Sequence, residues 1–325
     1  MRAAYYEANG AASDVLRIGE IQTPKPGPGE VRIRLHASGV NPSDVKSRAG
    51  LTRKIAFPLV VPHSDGAGEI DEIGEGVPAT RLGERVWTWN GQWRRALGTA
   101  AKYIVLPQRQ AVPLPRSIGF EIGAGIGIPA MTAWYAVMLA GVAEGTTLFV
   151  PGGAGAVGFY AVQIAKMRGA HVISTVSSPE KAEIALEAGA DHVINYKRED
   201  VPARVAEFTG KRGADAVLEV DVGAGAKLWS SILRPHGVVV AYGTSAADHV
   251  IPAQFCLTNN ISIRFILVYE MLEAEADRAI ADISKMLAEN RLTHNIAQTF
   301  ALENIVAAHE AVETGAVGKV VVTVA

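Results

Sequence analysis

One short stretch, VPGGAGAVGFYAV at 150–162, constrains the fold more than any other part of this chain. Gly153, Gly155 and Gly158 have the spacing G-x-G-x-x-G, and Gly152 forms an evenly spaced triplet with the last two. In such a motif the glycines allow a tight turn, the approach of the backbone to a pyrophosphate, and close packing of a helix on a strand. TTLFV precedes the stretch as a predicted strand and AVGFYAVQIAKMRG follows it as a predicted helix, which is the context typical of a dinucleotide site.

The predicted helix begins with Ala156 and Val157. Its unpaired N–H groups and the positive end of its dipole would face the phosphates of a bound nucleotide. A sharp strand-to-helix turn with no ligand is the alternative interpretation of these glycines. The flanking strand and helix favour nucleotide binding.

The chain has two parts with different patterns. Up to about residue 120, short strand-like segments such as VRIRLHASGV alternate apolar and polar residues and are broken by Gly and Pro. After that, strands alternate with helices, which predicts a parallel sheet covered on both faces. The final segment GKVVVTV is a predicted strand that rejoins the first sheet. We therefore predict an α/β protein in which a doubly wound Rossmann domain, residues 123–266, is inserted into a mostly antiparallel β domain, residues 1–122 and 267–325.

Composition excludes several classes of protein. The formal net charge is only -2 and no long basic stripe is present, which argues against a nucleic-acid partner. Cys256 is the single cysteine, so the chain forms no internal disulfide and no cysteine-based zinc site. The N-terminus lacks the apolar core of a signal peptide, and no apolar run approaches membrane-spanning length. These features predict a cytoplasmic protein with no membrane segment.

The residues beyond the glycines indicate which nicotinamide cofactor is bound. An NAD site carries an acidic residue about 20 residues past the glycines, where it binds the ribose 2′-hydroxyl. Here Ser177 and Ser178 stand at that strand end, while Lys181 and Tyr196 follow as candidate partners of a 2′-phosphate. A solvated surface lysine is the alternative for Lys181. The absent acid predicts NADPH.

Several motifs occur in one order along nearly the whole chain. They are GVNPSDVKSRAG at 39–50, VPHSDGAGEIDEIGEGV at 61–77, GAGIGIPAMTAWYAV at 123–137, GADHVINY at 189–196 and GKVVV at 318–322. With the glycine stretch, they make the chain resemble the medium-chain dehydrogenase/reductases, and specifically the zeta-crystallin-like NADPH:quinone oxidoreductases. The resemblance implies a GroES-like β domain and a homodimer or homotetramer.

The zinc-dependent alcohol dehydrogenases share this fold, and the resemblance also predicts how this chain differs from them. Asn41 stands where they carry a ligand cysteine, and Ser64 stands where they carry a ligand histidine. His63 is one residue out of register and is interpreted as a structural hydrogen-bonding residue. We therefore predict no metal site.

The resemblance also suggests catalytic residues. Asn41 matches the asparagine of the family's cleft, where its amide would donate to the acceptor oxygen, although an Asn before Pro42 is also a common turn residue. Arg48 matches the family's arginine. Lys46 replaces a tyrosine that the family often places near substrate, which leaves the shape of the acceptor pocket open.

Further cofactor contacts are implied or predicted elsewhere. Thr132 matches a residue that touches the nicotinamide carboxamide, with a helix-interior threonine as the alternative. Gly243 and Thr244 follow a strand of the parallel sheet, at the edge where such folds bind ligands. Lys319 is a candidate partner of the cofactor phosphates, with an exposed lysine as the alternative.

Tryptophans and arginines cluster in VWTWNGQWRR. Trp87, Trp89 and Trp93 are candidates for lining an aromatic acceptor pocket, and core packing explains such residues equally well. Arg94 and Arg95 are interpreted as a solvated pair.

Three functions are consistent with these features. The first is hydride transfer from NADPH to a quinone without a metal. The second is NADPH-dependent reduction of the carbon–carbon double bond of an alkenal, enone or enoyl thioester, so the partner is a quinone or a conjugated carbonyl compound. The third belongs to another class, an NADPH-binding structural or RNA-binding crystallin-like protein.

Overall fold

The computed structural model describes residues 1–324 as two compact units. Unit 1 comprises residues 1–128 and the chain from Ile280 onward, and unit 2 comprises Pro129–Ala279. Both junctions lie later in the chain than the predicted boundaries at 122/123 and 266/267. The first falls inside one continuous helix, Phe120–Leu139, and the second falls inside the helix Glu273–Ala288, so neither junction coincides with a loop.

The strands were named in chain order. They are β1 (Arg2–Tyr5), β2 (Arg17–Glu20), β3 (Glu30–Val40), β4 (Asp65–Ile73), β5 (Arg85–Thr88), β6 (Tyr103–Pro107), β7 (Ala111–Pro113), β8 (Thr147–Pro151), β9 (His171–Val176), β10 (His192–Asn195), β11 (Ala214–Glu219), β12 (Leu233–Ala241), β13 (Ser262–Phe265), β14 (Ile296–Ala301) and β15 (Lys319–Thr323).

The α-helices follow the same convention. They are α1 (Ala12–Val15), α2 (Pro42–Arg48), α3 (Phe120–Leu139), α4 (Ala156–Met167), α5 (Pro179–Glu187), α6 (Val201–Phe208), α7 (Val222–Gly225), α8 (Trp229–Ile232), α9 (Ala253–Thr258), α10 (Glu273–Ala288) and α11 (Ile305–Glu313).

Unit 2 is built on a six-stranded sheet with the order β10-β9-β8-β11-β12-β13. Every neighbouring pair in this sheet is parallel. Counted from β8, the order is 3-2-1-4-5-6, which is that of a doubly wound dinucleotide-binding fold. The first four residues of β8 are fully buried, as expected for a strand covered by helices on both faces. The predicted parallel sheet is therefore confirmed.

Unit 1 is built on a seven-stranded sheet with the order β14-β15-β3-β4-β5-β7, and β6 also pairs with β3. Only the β14–β15 pair is parallel among the described strands of this sheet. Val320 lies opposite Val40 on β3, so the predicted return of GKVVVTV to the first sheet is confirmed. Along β3, Val31, Ile33 and Leu35 alternate into the core.

Helix α3 is long and apolar. Its 20 residues meet the length and hydropathy criteria of a membrane-spanning helix, so the expectation that no apolar run approaches that length is wrong. However, 78% of its most apolar window is buried within the protein, which is how the core helix of a soluble protein packs. Pro129 lies inside the helix, one residue beyond the end of the first segment of unit 1.

Candidate functional site

The glycine stretch forms a turn between β8 and α4. Where neighbouring atoms approach this turn most closely, there is no room for a side chain. Gly152 has a φ of 71°, in the left-handed region that favours glycine. A Cβ on Gly153 would lie 2.2 Å from the Oγ of Ser174, and a Cβ on Gly158 would lie 2.3 Å from the carbonyl oxygen of Gly152. Gly152 is therefore favoured by its backbone conformation, and Gly153 and Gly158 by the close approach of neighbouring atoms, as in a phosphate cradle.

Ser174 holds this turn and was not predicted from the sequence. Its hydroxyl accepts a hydrogen bond from the N–H of Gly153 at 3.0 Å and donates to the carbonyl of Val150 at 2.8 Å. The residue is fully buried on β9, the neighbouring strand. Its only signal in the sequence is a serine in the middle of the predicted strand HVISTV.

The start of α4 is suited to an anion. Gly155 is the N-cap and supplies no side-chain hydrogen bond to the first turn, which also contains no acidic residue. Ala156 and Val157 begin the helix and are partly exposed. First-turn N–H groups that no side chain caps are the donors that bind phosphates at helix N-termini.

Several of the other predicted cofactor residues follow strands of the same sheet. Ser177 follows β9, Tyr196 follows β10, and Gly243 and Thr244 follow β12. Because the carboxyl ends of parallel strands share one edge, these residues lie on the same edge as the glycine turn. A Cβ on Gly243 would lie 2.1 Å from the carbonyl oxygen of Val220, so this position also requires glycine.

The beginning of α5 matches its prediction. Ser178 is the N-cap and its hydroxyl accepts from the N–H of Lys181, with Pro179 in the first turn. Lys181 is partly buried and Tyr196 is 53% exposed. Their contact with a 2′-phosphate stays a prediction.

Two charged residues near Ser178 were missed in the sequence. Glu180 lies in the first turn of α5, where a hydrogen bond from Ser178 lowers the pKa of its carboxyl, and Arg198 follows the neighbouring strand β10. A carboxylate is therefore present near this strand end, contrary to the sequence argument that relied on its absence. Arg198 places a cation at the end of the neighbouring strand. The signals were Glu180 two residues past Ser178 and Arg198 two residues past Tyr196.

Thr132 and Thr244 differ in their surroundings. Thr132 is 5% exposed within α3, whereas Thr244 is exposed and its hydroxyl donates to the carbonyl of Ala246 at 2.6 Å. Both remain predictions as cofactor contacts.

Unit 1 contains a buried polar cluster centred on Lys319. The ammonium of Lys319 donates to Asn41 Oδ1 at 2.6 Å and to Asp65 Oδ2 at 2.7 Å. The amide of Asn41 in turn donates to Asp65 Oδ2 at 2.8 Å. The Lys319 and Asp65 side chains are only 3% and 0% exposed. These three residues, from β15, the start of α2 and β4, form a closed triangle that we call the Lys319 cluster.

Helix α3 and helix α2 complete the surroundings of Asp65 and Asn41. Asp65 Oδ1 accepts from the N–H of Ile128 at 2.7 Å, and a Cβ on Gly127 would lie 2.2 Å from that oxygen. Asn41 is the N-cap of α2 and forms a capping box with Asp44, whose carboxylate accepts from the N–H of Asn41 at 2.8 Å.

These contacts change the interpretation of Asn41 and Lys319. Both ends of the Asn41 amide have partners within unit 1, so the amide is not a free donor, and its catalytic role stays a prediction. The alternative of an exposed Lys319 is wrong, since its ammonium lies inside unit 1. Contact of Lys319 with the cofactor phosphates also stays a prediction.

The burial of Arg48 argues against the catalytic role that the resemblance suggested. The residue is 0% exposed, and its guanidinium donates to the carbonyl of Gly10 and to the Glu313 carboxylate at the end of α11. An arginine enclosed in this way joins α2 to α11. These contacts support a structural role, and the catalytic role of Arg48 stays a prediction.

The predicted structural role of His63 is confirmed by a chain of buried hydrogen bonds. His63 Nε2 lies 2.9 Å from His309 Nε2, and His63 Nδ1 lies 2.8 Å from the Ser38 hydroxyl. Ser38 contacts Thr99 at 2.7 Å, and Thr99 donates to the carbonyl of Asp65 at 2.6 Å. Because the Thr99 hydroxyl donates to that carbonyl, it must accept from Ser38, and Ser38 must accept from His63 Nδ1. His63 Nε2 is then the acceptor of the bond from His309 Nε2. His309 Nδ1 accordingly lacks a partner among the described residues.

Burial keeps both histidines neutral. It holds the pKa of His63 well below the ordinary value and lowers the pKa of His309 to about 3.

The aromatic cluster is divided between core and surface. Trp87 and Trp89 are 0% and 5% exposed and pack in the interior, so they are core residues of unit 1, whereas Trp93 is partly exposed. Interpreting Arg95 as solvated is wrong. Its guanidinium donates to the Gln110 side chain at 2.7 Å and to the carbonyl of Asn90, and burial lowers its pKa.

The residues at the positions of the zinc ligands do not fit zinc. Asn41 and Ser64 replace the cysteine and histidine, and Asp65 is paired with the Lys319 ammonium, whose charge opposes a divalent cation. Among residues 1–324 no cluster of three His, Cys, Asp or Glu side chains is arranged to hold a metal ion.

The doubly wound unit with its glycine turn and the antiparallel β unit define the class, a two-domain dehydrogenase or reductase that uses a dinucleotide. Residues 27–116 match the family model of the alcohol dehydrogenase GroES-like domain, and residues 156–285 match that of the zinc-binding dehydrogenases.

Known proteins narrow this class. The quinone oxidoreductase of Pseudomonas aeruginosa is 34% identical over 72% of this chain and 70% of its own length. A 2-haloacrylate reductase of Burkholderia sp. is 31% identical over 90% of this chain and 89% of its own length. The structure of Escherichia coli quinone oxidoreductase complexed with NADPH superimposes with a TM-score of 0.90, at 25% identity, over 99% of this chain and 100% of that one. The chain belongs to the zeta-crystallin-like quinone oxidoreductases of the medium-chain dehydrogenase/reductase superfamily.

The Asp44 carboxyl gives a pH dependence that can be measured. Burial, with the neighbouring Asp65 charge, raises its pKa from 3.8 to about 7. Between these values the folded chain holds a proton that the unfolded chain has lost. The contribution of the Asp44 proton to the stability of the folded chain is therefore fully present below about pH 4 and is lost as the pH rises through about 7. We expect the free energy of unfolding of Asp44→Asn to fall less steeply than that of the wild type from about pH 5 to pH 8 in urea titrations.

The comparison has an internal control. The neutral histidines are present in both proteins, so their opposite dependence, a loss of stability as the pH falls below 6.5, cancels in the difference. Asp248→Asn, at an exposed position, serves as the matched substitution. Parallel curves for wild type and Asp44→Asn would contradict the prediction.

Proposed function

We propose that this protein transfers hydride from NADPH to a quinone without a metal ion. The observation that carries the proposal is the glycine turn of a family member, in which Cβ atoms on Gly153 and Gly158 would collide with neighbouring atoms. Such a turn leaves backbone N–H groups facing a bound pyrophosphate. Relatives named quinone oxidoreductases, one of them solved with NADPH, support the choice of acceptor and cofactor.

The cofactor supplies the hydride, and the chain supplies its position. Gly152, Gly155 and the first turn of α4 bind the pyrophosphate in this proposal. Ser177, Lys181 and Tyr196 contact the 2′-phosphate, with Arg198 as a further cation at the same strand ends. These cations offset the charge of Glu180, which would otherwise favour a free 2′-hydroxyl.

Unit 1 contributes the Lys319 cluster. Asp65 and Asn41 hold the Lys319 ammonium at 2.6–2.7 Å, and the capping box fixes the beginning of α2. Asn41 and Lys319 act here as positioning residues for the segment that faces the acceptor. Thr132, Gly243 and Thr244 contact the cofactor from unit 2.

A second acceptor class is favoured by one specific observation. The Burkholderia relative is named a 2-haloacrylate reductase, and a haloacrylate carries a conjugated double bond rather than a quinone ring. Reduction of an alkenal, enone or enoyl thioester by NADPH requires the same hydride donor and the same scaffold.

An acceptor panel separates these proposals. Purified protein is mixed with NADPH and with quinones or alkenals, and the loss of nicotinamide absorbance is followed. We expect turnover with quinones at a higher kcat/KM than with alkenals. Turnover of alkenals alone would contradict the quinone proposal. Tight NADPH binding with no turnover of either class would support a structural, crystallin-like role instead.

Cofactor preference tests the 2′-phosphate contacts. We expect the wild type to bind NADPH more tightly than NADH, and Lys181→Ala to narrow this ratio by about 10-fold through loss of a charge-assisted hydrogen bond. Fluorescence titration with each dinucleotide gives both dissociation constants. Lys211→Ala is the control, since Lys211 precedes β11 and so lies toward the opposite edge of the sheet. Equal affinities of the wild type for both dinucleotides would contradict the assignment.

We also propose a cytoplasmic homo-oligomer, a dimer or tetramer. Strand β13 is the last strand of the unit 2 sheet and pairs only with β12 among the described strands. Phe265 on this strand is 68% exposed. An open edge that exposes an aromatic side chain suits antiparallel pairing with the same strand of a second copy about a two-fold axis.

Sedimentation velocity tests this assembly. We expect the wild type to sediment as an oligomer and Phe265→Glu to shift it toward the monomer, because a charge at the paired edge opposes association. Val250→Glu, at a 93% exposed position outside the strand, is expected to leave the oligomer intact. A monomeric wild type would exclude the assembly.

A further inference from the structure

Arg53 lies in unit 1 on the segment that follows α2, and neutral groups hold its guanidinium. Nε donates to the Ser47 hydroxyl at 3.0 Å, and Nη2 donates to the Gln92 side-chain oxygen at 2.7 Å. The guanidinium carbon lies 4.9 Å from the centre of the Trp93 ring, in cation–π contact. Arg53 is therefore fixed on three sides while its charge is not neutralised.

The supporting groups are themselves fixed. Gln92 is 6% exposed and its amide nitrogen donates to the carbonyl of Arg95 at 2.8 Å, which turns its oxygen toward Arg53. The side chain of Asn9 donates to the carbonyl of Ser47 and accepts from the N–H of Ile55, which ties the segment to the end of α2. The position of the guanidinium is thus set before any ligand binds.

Among the described residues no carboxylate pairs with Arg53, and the two segments that meet at it contain no acidic residue. Residues 45–64 include Lys46, Arg48, Arg53 and Lys54 but no Asp or Glu, and residues 85–120 also include several arginines but neither acid. These two segments meet at the contact of Arg53 with Gln92 and Trp93. In a chain whose formal net charge is -2, this is a local excess of positive charge.

The neighbourhood links Arg53 to the proposed acceptor site. Arg53 donates to the hydroxyl of Ser47 on α2, the helix whose N-cap is Asn41. Asp44 is the capping partner of Asn41, the residue that the family places in its cleft. Lys46, where the family often carries a tyrosine near substrate, belongs to the same positively charged segment.

We propose that Arg53 is a specificity-determining residue that binds a carboxylate on the acceptor, so that the preferred substrates are quinones or conjugated carbonyl compounds bearing an acid group. The inference rests on the proposed reductase function. A planar guanidinium with an N–H edge not used by the protein can donate two parallel hydrogen bonds to a carboxylate. Ser47, Gln92 and Trp93 keep it in place, and none of them competes for its charge.

A matched pair of acceptors tests the inference. A carboxylated para-benzoquinone and its methyl ester share the ring that takes the hydride and differ in the charge that Arg53 would bind. We expect the wild type to reduce the acid at the higher kcat/KM. In Arg53→Met the acid-to-ester ratio of kcat/KM should fall by about 10- to 100-fold, the range for loss of a hydrogen bond to a charged group.

Arg94→Met is the matched control, because Arg94 lies 5.7 Å from the centre of the same Trp93 ring and carries the same charge. This variant should keep the wild-type acid-to-ester ratio. An unchanged ratio in Arg53→Met, or an equal loss in both variants, would overturn the inference. Thermal unfolding of each variant establishes that it is folded before the ratios are compared.

Calorimetry separates this inference from the proposed function. Benzoate is titrated into the wild type and into Arg53→Met, with benzamide as the uncharged analogue. We expect benzoate to bind the wild type more tightly than benzamide and to lose that advantage in the variant, whether or not the protein reduces quinones. Equal binding of benzoate and benzamide by the wild type would overturn the carboxylate site, even if the enzyme proves to be a quinone reductase.

Discussion

The buried ion pair of Lys319 with Asp65 is the interaction on which the architecture of unit 1 depends. Two charges removed from water are tolerated only when good geometry and further hydrogen bonds compensate for the lost solvation. Here Asn41 contacts both charges, and the N–H of Ile128 satisfies the second carboxylate oxygen. The pair thereby joins β15 and β4 to the first turns of α2 and to α3. Loss of one partner would leave a buried charge without compensation, at a cost of about 3–5 kcal/mol.

The same cluster accounts for the sequence around it. A Cβ on Gly127 would collide with Asp65 Oδ1. A Cβ on Gly39, on β3, would collide with the carbonyl of Ala124 and with the Lys319 side chain. The helix α3 must therefore lie close against the sheet for the carboxylate to reach its backbone. Asn41, which stands at one zinc-ligand position of related dehydrogenases, belongs to this cluster. The Lys319 ammonium and the Asn41 amide bind the Asp65 carboxylate, and the positive charge of the ammonium opposes a metal ion at the same place.

The features of the fold and the site that could be predicted are those whose sequence pattern lies within a short segment of the chain. The glycine turn, the N-cap at Ser178, the parallel sheet and the return of the last strand each follow from short patterns, and each was found. The carboxylates that pair with Lys319 and Arg48 lie more than 250 residues away in the chain, so nothing in the local sequence indicates that the two cations are buried. Glu180 was missed for a different reason. It lies in the first turn of α5, two residues past Ser178, rather than at the strand end where an NAD site carries its acidic residue.

Lys319 and Arg53 of unit 1 show how a fold decides which charges remain available. Lys319 is paired with a carboxylate, and His63 and His309 are kept neutral by burial, so none of these groups has charge left for a ligand. Arg53 is held by a hydroxyl, an amide oxygen and an indole face, which fix its geometry without cancelling its charge. A carboxylate at position 92 would neutralise the guanidinium, whereas the Gln92 oxygen accepts its hydrogen bond and leaves the charge in place. Neutral support of a fixed cation is instead the arrangement that leaves its attraction for an anionic acceptor intact.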